Sequence, residues 1–167
     1  MANKFNTHRR IVVDIIFLQI GGTIDKCYPS GEDNHGYAFE IGDAAYLSVI
    51  GRANLAYSWS EDTVMKKDSR DMTDEDRAAI RNYVDESGEE KAILTHGTDT
   101  IHLTAETLSD IEGKTIVLTG AMQPEKFRDS DADFNLGMAV AAAQCLPHGV
   151  YIALRGEVKR WDEYVPR

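Results

Sequence analysis

Two threonines in this 167-residue chain directly follow glycines, each where an apolar run stops. Thr23 comes after Gly21-Gly22, and Thr98 comes after Gly97. Glycine lets the main chain turn sharply or approach a ligand closely. A threonine hydroxyl is a weak nucleophile until a base or a cation activates it. The two Gly-Thr pairs therefore predict either plain turns or a site where two hydroxyls meet a ligand.

Four apolar runs rich in β-branched residues predict strands that are buried on both faces. They lie at 11–20, 92–95, 115–119 and 150–154. A further short strand is expected near 55–60 or 63–67.

Helical patterns alternate with these strands, at 73–88, 100–111 and 133–146. The first begins with Thr73 as a helix N-cap and has Asp76 three residues later. Alternation of this kind predicts an α/β fold, with an open, mostly parallel, Rossmann-like sheet that carries helices on both faces.

A glycine follows each of the four predicted strands, at Gly21, Gly97, Gly120 and Gly156. In open parallel sheets, ligands bind beyond the carboxyl ends of the strands. Glycines in such loops can serve turning alone, but the repetition of Gly-Thr in two loops favours a functional site. We therefore expect the two hydroxyls to converge at one rim of the sheet.

The composition and charge of the chain limit the kinds of molecule it is expected to bind and the compartment in which it is expected to work. The net charge of −10 and the pI near 4.9 disfavour binding to nucleic acid or to anionic membranes. No apolar stretch approaches the ~20 residues of a membrane span. The run at 11–20 contains Asp14 and no cleavage site follows it, so it is interpreted as a strand and not as a signal peptide. Cys27 and Cys145 are too few for a disulfide framework, which favours a reduced, cytoplasmic setting.

Several common motifs are missing from the sequence. A Walker phosphate loop, a dinucleotide fingerprint, a nucleophile elbow and paired zinc ligands do not occur, so no cofactor or metal is expected. Asp129, Asp131 and Asp133 imitate the start of a calcium loop, but Phe134 stands where that loop needs glycine. We interpret them as the acidic start of a helix. His96 is interpreted as structural or solvated and not as catalytic.

Five motifs in this chain resemble those of the bacterial-type L-asparaginases, in the same order. They are GGTID at 21–25, DSRDMT at 68–73, ILTHGTDTI at 93–101, VLTGAMQP at 117–124 and SDADFNLGMAV at 130–140. The resemblance runs from about Phe17 to Leu154 and implies the N-terminal catalytic domain of that family. The family's smaller second domain is absent, so residues 1–167 are interpreted as a single-domain short form or as a fragment of a longer enzyme.

The resemblance implies hydrolysis of the side-chain amide of L-asparagine through an acyl-enzyme on Thr23. Backbone N–H groups of the loops at Gly22 and Gly97 would hold the oxyanion. Thr98 would position the water or assist proton transfer.

Recognition of the amino-acid head group is implied in the same way. Asp99 matches the residue that binds the α-ammonium, and Ser69 matches the residue that binds the α-carboxylate. Arg70 stands where the family often has glutamine. Because arginine can bind a carboxylate through two hydrogen bonds, this departure is expected to tune substrate choice.

The family's lid carries a tyrosine that activates the nucleophile. Tyr28 and Tyr37 both lie in the glycine-rich segment 25–42, which has no periodicity. Spacing favours Tyr37, whereas Tyr28 is nearer in sequence to Thr23. Either ring can also be a packed aromatic side chain.

A family lysine that pairs with the aspartate equivalent to Asp99 has no counterpart here. Its position falls near Val165, Pro166 or Arg167. Lys159 or Arg167 is expected to supply the missing cation.

Three functions remain in competition at this stage. The first is an amidohydrolase acting on L-asparagine, with weaker action on L-glutamine. The second is a catalytically weak domain that binds an amino acid, and the third is an amidase subunit that supplies ammonia to a partner. A homo-oligomer is expected, because a single domain leaves the rim of the site open.

Overall fold

The computed structural model of the chain describes residues 15–29 and 38–166. Its strands are β1 (Ile15–Gln19), β2 (Lys26–Cys27), β3 (Glu40–Ile41), β4 (Trp59–Thr63), β5 (Lys91–Thr95), β6 (Thr115–Thr119), β7 (Gly149–Leu154) and β8 (Glu157–Arg160). Its α-helices are α1 (Ala45–Ala53), α2 (Asp74–Glu86), α3 (Ile101–Thr107) and α4 (Ala132–Cys145). Short 3₁₀ turns lie at Thr23–Asp25, Ser69–Asp71 and Trp161–Glu163.

Within the described part of the chain, six strands form one sheet in the order β4-β1-β5-β6-β7-β8. All neighbours are parallel except β7 and β8, which are antiparallel, while β2 and β3 form a separate small antiparallel pair. The predicted α/β class and mostly parallel sheet are confirmed. A further strand was expected near 55–60 or 63–67. Strand β4 begins inside the first of these ranges and ends at the start of the second.

The pleat of β1 divides the core into two halves. Phe17 packs on one face with residues of α1 and α4, and Leu18 packs on the other with residues of α2 and α3. Successive side chains of a strand point to opposite faces, so a run that is buried throughout needs helices on both sides. The prediction of helices on both faces is confirmed.

The start of α2 shows the predicted capping box. The Asp76 backbone N–H donates to Thr73 Oγ1 at 3.3 Å, and Asp76 Oδ2 accepts from the Thr73 N–H at 2.7 Å. Lys67 donates to the same carboxylate at 2.6 Å. The capping box therefore ties the start of α2 to the loop that follows β4.

The glycine after β7 serves a different purpose from the other three. Arg155 and Gly156 connect β7 to β8 as a two-residue hairpin, with φ of 55° and 83°. A turn with positive φ at both central residues matches the twist of an antiparallel hairpin. The glycine after β7 therefore serves a hairpin turn and not a connection to a helix.

One crossover of the sheet has unusual chirality. The connections through α1, α2 and α3 share one hand, as judged from the strand order and from the face on which each helix packs. The connection from β6 to β7 moves across the sheet in the same direction as that from β5 to β6, but its helix α4 lies on the opposite face. Because such crossovers are nearly always right-handed, the one through α4 is left-handed.

The chain reverses direction across the sheet beside β1. It leaves β1 to form β4 on one side and then returns to form β5 on the other. The adjacent carboxyl ends of β1 and β5 therefore form the topological switch point, where open α/β sheets bind ligands.

Candidate active site

The loops after β1 and β5 touch through their main chains. Gly22 has φ 93° and ψ −174°, a conformation open almost only to glycine. A Cβ placed on Gly22 would lie 2.3 Å from the Gly97 amide nitrogen. The glycines therefore permit close approach of two loops, and the predicted convergence of the Gly-Thr pairs at one rim agrees with this geometry.

Thr23 begins a 3₁₀ turn directly after Gly22 and is partly exposed. Among the described residues, no side chain hydrogen-bonds to its hydroxyl. The turn itself is fixed by neighbours, since the Ile24 carbonyl accepts from the Glu125 N–H at 3.0 Å. Hydrogen bonds thus fix the turn that carries Thr23, and within the described residues they leave its hydroxyl without a side-chain partner.

Asp25 anchors the other end of that turn. Its carboxylate accepts from the Ala45 N–H at 2.8 Å, at the start of α1, and from Thr95 Oγ1 at 3.4 Å. Burial raises the pKa of Asp25 to about 6, against the opposing effect of the Ala45 hydrogen bond. A buried carboxyl group thus connects the Thr23 turn to α1 and to the end of β5.

Ser69 reaches the site from the loop after β4. It is 1% exposed, and its Oγ is buried without a hydrogen-bond partner among the described residues. A Cβ placed on Gly97 would lie 2.5 Å from this Oγ, so the hydroxyl lies against the Gly97 main chain. An unsatisfied buried hydroxyl costs about 1–3 kcal/mol, and a polar ligand group would remove that cost.

Arg70 and Asp99 form a two-point ion pair across the rim. Arg70 Nε donates to Asp99 Oδ2 at 2.8 Å, and its Nη2 donates to Asp99 Oδ1 at 3.2 Å. The Arg70 N–H donates to Asp68 Oδ1, the cap of the turn that carries Ser69. In the described part of the chain, the cation paired with Asp99 is therefore Arg70, from a loop in which no such pairing was predicted.

Thr98 and Asp99 line a cavity of about 180 Å³. The returning C-terminal segment forms part of its wall, through Val165 and Pro166. This segment is the one in which the family's lysine position was expected. Arg167 follows directly in sequence but lies outside the described residues.

Lys159 lies away from this cavity. It is exposed on β8 and pairs in register with Ile152. Strand β8 starts at the carboxyl end of β7 and runs back toward the opposite edge of the sheet, so its residues move away from the site. Lys159 is not brought together with Thr98 and Asp99.

Of the two tyrosines that the resemblance offered for the lid, Tyr28 is described and Tyr37 lies outside the described residues. The Tyr28 ring is exposed and packs against Phe39 and Phe127, with centroids 4.9 Å and 6.4 Å away. The contacts of Tyr28 are thus those of a packed aromatic side chain, which was the alternative to a role on the lid.

His96 is structural. It is fully buried, with Nδ1 2.8 Å from the Gly97 carbonyl and Nε2 2.8 Å from Thr104 Oγ1. A carbonyl can only accept, so Nδ1 carries the proton and Nε2 accepts from the threonine hydroxyl. Burial lowers the pKa of His96 to about 4, which keeps the ring neutral. The ring fixes the main chain of Gly97, in agreement with its interpretation as structural.

Arg77 supports the site from behind and was not singled out in the sequence. Its guanidinium is buried and donates to the Met72 carbonyl and to Thr100 Oγ1, both at 3.3 Å. Thr100 in turn donates to the Ser69 carbonyl at 2.7 Å. Arg77 lies three residues before Ile80, on the buried face of α2. A charged residue among the apolar positions of a helix is the sequence signal that could have identified Arg77.

The described residues hold neither a metal cluster nor a membrane-spanning helix. Within 15–29 and 38–166, no group of histidine, cysteine and acidic side chains could hold a metal ion. No helix in the same ranges is long and apolar enough to cross a membrane. Both cysteines are free.

Comparison with known proteins identifies the family. The model described as "Asparaginase, N-terminal" matches residues 14–162. The fold is that of α/β proteins with an open, mostly parallel sheet, and two threonine-bearing loops meet at its switch point. The chain belongs to the asparaginase family.

Individual relatives agree with this membership. The chain is 32% identical over 151 residues to L-asparaginase from Thermococcus kodakarensis, covering 86% of this chain and 44% of that protein. It is 43% identical over 82 residues to a subunit of the glutamyl-tRNA(Gln) amidotransferase from Methanococcus vannielii, covering 48% of this chain and 19% of that protein.

Solved structures give the same result. The thermostable L-asparaginase from T. kodakarensis superposes with a TM-score of 0.74 at 27% identity, covering 89% of this chain and 46% of that one. A probable cytoplasmic L-asparaginase from Campylobacter jejuni gives 0.74 at 27% identity, covering 92% and 49%. The chain thus spans about half the length of these asparaginases, and less of the amidotransferase subunit.

Proposed function

We propose that this protein hydrolyses L-asparagine to L-aspartate and ammonia, with Thr23 as the nucleophile. The observation that carries the proposal is the main-chain contact between Gly22 and Gly97, which brings the two threonine loops together at the switch point. Membership of the asparaginase family supports the same reaction class. The proposed substrate is a small molecule, and no cofactor takes part.

The proposed reaction has two halves. The Thr23 oxygen attacks the side-chain amide carbon, the hydroxyl proton passes to the amide nitrogen, and ammonia leaves an acyl-enzyme. Water then attacks the ester with help from Thr98, which releases aspartate and restores the Thr23 hydroxyl. Backbone N–H groups of the loops at Gly22 and Gly97 stabilise the oxyanion in both halves.

The head group of the substrate is bound separately from its amide. Asp99 takes the α-ammonium, and Ser69 and Arg70 take the α-carboxylate. The buried, unpartnered Ser69 hydroxyl supports this assignment, because an accepting carboxylate oxygen would satisfy it.

The activator of Thr23 is proposed to come from the lid or from the C-terminal segment. Tyr37 and Tyr28 are the lid candidates, and Lys159 and Arg167 are the cationic ones. Lys159 does not line the cavity of Thr98 and Asp99, whereas Pro166, which precedes Arg167 in sequence, does; this supports Arg167.

Replacement of the nucleophile tests the proposal. Thr23→Ala is expected to keep the fold and to lose at least about 10³-fold in ammonia release from L-asparagine, since no other route to the acyl-enzyme remains. Thr107→Ala is the matched control, because that hydroxyl bonds only within α3, to the Leu103 carbonyl. Wild-type turnover in Thr23→Ala would refute the assignment.

A second candidate function follows from the relatives that are amidotransferase subunits. The likeness to the amidotransferase subunit favours an amidase that supplies ammonia to a partner chain. The acidic charge of −10 argues against direct contact of this chain with tRNA. A requirement for an added partner chain, with no asparaginase activity in the isolated protein, would select this alternative. A domain that only binds an amino acid would bind aspartate and release no ammonia, with or without the added partner chain.

The proposal also covers the oligomeric state, the location and the partners of the protein. We expect a homo-oligomer that works in the cytoplasm, without nucleic-acid or membrane partners. The two free cysteines and the acidic charge support this setting.

A further inference from the structure

Three buried polar side chains meet at the turn that carries Thr23. Gln19 and Thr95 are fully buried, and Asp25 is 3% exposed. Gln19 ends β1 and Thr95 ends β5, and the two residues are partners in register. The turn after β1 brings the Asp25 carboxylate to 3.4 Å from Thr95 Oγ1. We call Gln19, Asp25 and Thr95 the strand-end cluster.

Asp25 belongs to the same 3₁₀ turn as Thr23. Its N–H donates to the Gly22 carbonyl at 3.2 Å, and the Lys26 N–H donates to the Thr23 carbonyl. The turn is only three residues long, from Thr23 to Asp25. Because one 3₁₀ turn has three residues, a shift of Asp25 moves the main chain of Thr23 with it.

Neutral donors hold the Asp25 carboxylate. The Ala45 N–H donates to it at 2.8 Å and the Thr95 hydroxyl at 3.4 Å. Within 15–29 and 38–166, no basic side chain forms an ion pair with it. Burial raises the pKa of Asp25 to about 6, and the Ala45 N–H and the Gln19 amide oppose that rise. Burial of a carboxyl group without a cation is unfavourable, so its hydrogen bonds to separate elements indicate a positional role.

Gln19 ties the cluster to the start of the chain leading into α1. Gln19 Nε2 donates to the Gly42 carbonyl at 3.0 Å, and the Gly42 N–H donates to the Asp25 carbonyl at 2.9 Å. A Cβ placed on Gly42 would lie 2.7 Å from Cys27 Sγ, so the main chain packs closely here. The chain therefore leaves the cluster after Asp25 and returns to it at Gly42.

The cluster also connects the two threonine loops from inside the protein. Thr95 lies three residues before Thr98, at the end of the strand that delivers that loop. The contact between Asp25 and Thr95 therefore fixes the Thr23 turn relative to the Thr98 loop. A displacement of a reacting group by about 1 Å can cost on the order of 10²-fold in rate.

We propose that Asp25 is a positioning residue, which fixes the Thr23 hydroxyl against the Thr98 loop through the strand-end cluster and does not itself touch the substrate. The proposal rests on the proposed function, since it concerns the nucleophile of that reaction. The residues assigned to the head group lie on other turns, after β4 and β5. Loss of the Asp25 carboxylate should therefore slow the chemical step and leave substrate binding nearly unchanged.

Two substitutions of Asp25 test this role by steady-state kinetics on the full chain. Asp25→Ala removes the carboxylate and should lower kcat for ammonia release from L-asparagine at least about tenfold, with KM changed less than about threefold. Asp25→Asn keeps an oxygen for the Ala45 N–H and places an amide against Thr95 Oγ1, so it should restore kcat to within about fivefold of the parent. Circular dichroism gives the folded fraction by which each kcat is corrected.

Val84→Ala is the matched control for loss of stability. Val84 is fully buried near the end of α2, in the half of the core that packs on the other face of the sheet from α1. Its truncation opens the core without touching the strand-end cluster. The kcat per folded molecule of Val84→Ala should therefore equal that of the parent.

Amide hydrogen exchange tests the geometry without turnover. The Lys26 and Gly42 amides donate to carbonyls of the turn at Thr23–Asp25. In Asp25→Ala, both amides should exchange at least about tenfold faster, relative to the amides of β6, than they do in Val84→Ala. Unchanged relative exchange at both amides would overturn the proposal.

The kinetic outcomes separate this proposal from the proposed function. A fall in corrected kcat of less than about tenfold in Asp25→Ala, an equal fall in Val84→Ala, or a rise in KM alone would overturn the positioning role. The expected kcat pattern together with full activity in Thr23→Ala would keep Asp25 as the residue that positions the turn and refute the nucleophile. Loss of activity in Thr23→Ala with a parent-like kcat in Asp25→Ala would do the reverse.

Discussion

At the scale of single residues, the site combines side chains with opposite electrostatic roles. Arg70 and Asp99 are exposed charges that neutralise each other, while His96 is buried and neutral. Asp25, two residues after Thr23, is also buried, and burial raises its pKa to about 6. The pKa values of Asp25 and His96 move in opposite directions for one reason, because burial penalises the charged form of either group.

Asp25 predicts a pH dependence of stability with a definite sign. Its pKa rises from 3.8 to about 6 on folding, so the folded state holds the proton at a higher pH than the unfolded state. Stabilisation by this group is complete below pH ~4 and is lost as the pH rises through about 6, by up to roughly 3 kcal/mol. Asp25→Asn should therefore gain in free energy of unfolding relative to the parent between pH 4 and 7.

Urea denaturation of both proteins at several pH values measures this difference. Asp110→Asn is the control without a slope in this range, since Arg81 lowers the pKa of that exposed carboxyl group and its change in protonation falls below pH ~4. A constant difference between Asp25→Asn and the parent from pH 4 to 7 would contradict the assignment.

The missing lysine gives a second prediction at this scale. Arg167→Met should reduce ammonia release from L-asparagine at least about tenfold. Pro166, the residue before it in sequence, lines the cavity, and a cation supplied to the site would stabilise developing negative charge. Lys159→Met should reduce it less than twofold, because Lys159 is exposed on β8. Steady-state kinetics decides between them, and the opposite ranking would show that Lys159 supplies the cation.

At the scale of elements, the site depends on loops that meet at one edge of the sheet. The carboxyl ends of β1, β4 and β5 deliver the turns at Thr23, at Ser69 and at Gly97. The capping box of α2 and the buried Arg77 fix the Ser69 turn from below. The position of each hydroxyl is thus set by elements that do not themselves contact a ligand.

Gly22→Ala tests the contact between loops. The substitution places a Cβ 2.3 Å from the Gly97 nitrogen at a backbone conformation open almost only to glycine, so it should cost at least about 2 kcal/mol of unfolding free energy. Gly51→Ala is the matched control in α1, where an added Cβ meets nothing within 4 Å and should stabilise by up to about 1 kcal/mol. Chemical denaturation measures both. Equal stability of the two variants would contradict the close approach.

At the scale of the whole molecule, exposed apolar side chains lie among the charged ones at the open rim of the site. Met122 and Val165 line the cavity of Asp99 and are 54% and 74% exposed. Phe134 is 61% exposed and lies near Gly156. Exposed apolar side chains grouped around a site are typical of surfaces that a partner covers. A second copy, docked through an isologous contact, is the partner we propose.

Light scattering tests this proposal. The parent protein should give at least the mass of a dimer, and Phe134→Glu should shift it toward the monomer and lower its activity, because a charge would have to be buried at the contact. Leu103→Glu is the control, since that exposed leucine lies on α3, which packs on the other face of the sheet. A fully active monomer in the parent sample would contradict the proposal.

The sequence alone determined those features that depend on local order. Continuous apolar runs predicted β1, β5, β6 and β7, and Thr73 with Asp76 predicted the start of α2, because burial on both faces and helix capping leave marks within a few residues. The order of the motifs was sufficient to indicate the family.

Only the tertiary structure decided which distant residues meet. The Arg70–Asp99 pair, the Ser69 hydroxyl against Gly97 and the return of Val165 to the cavity join residues 28 or more positions apart. Local patterns do not encode such contacts. The glycine after β7 could precede a helix or form a hairpin with the same residue type. Packing of β8 against β7 resolved that choice, because backbone pairing at the sheet edge favours the antiparallel return.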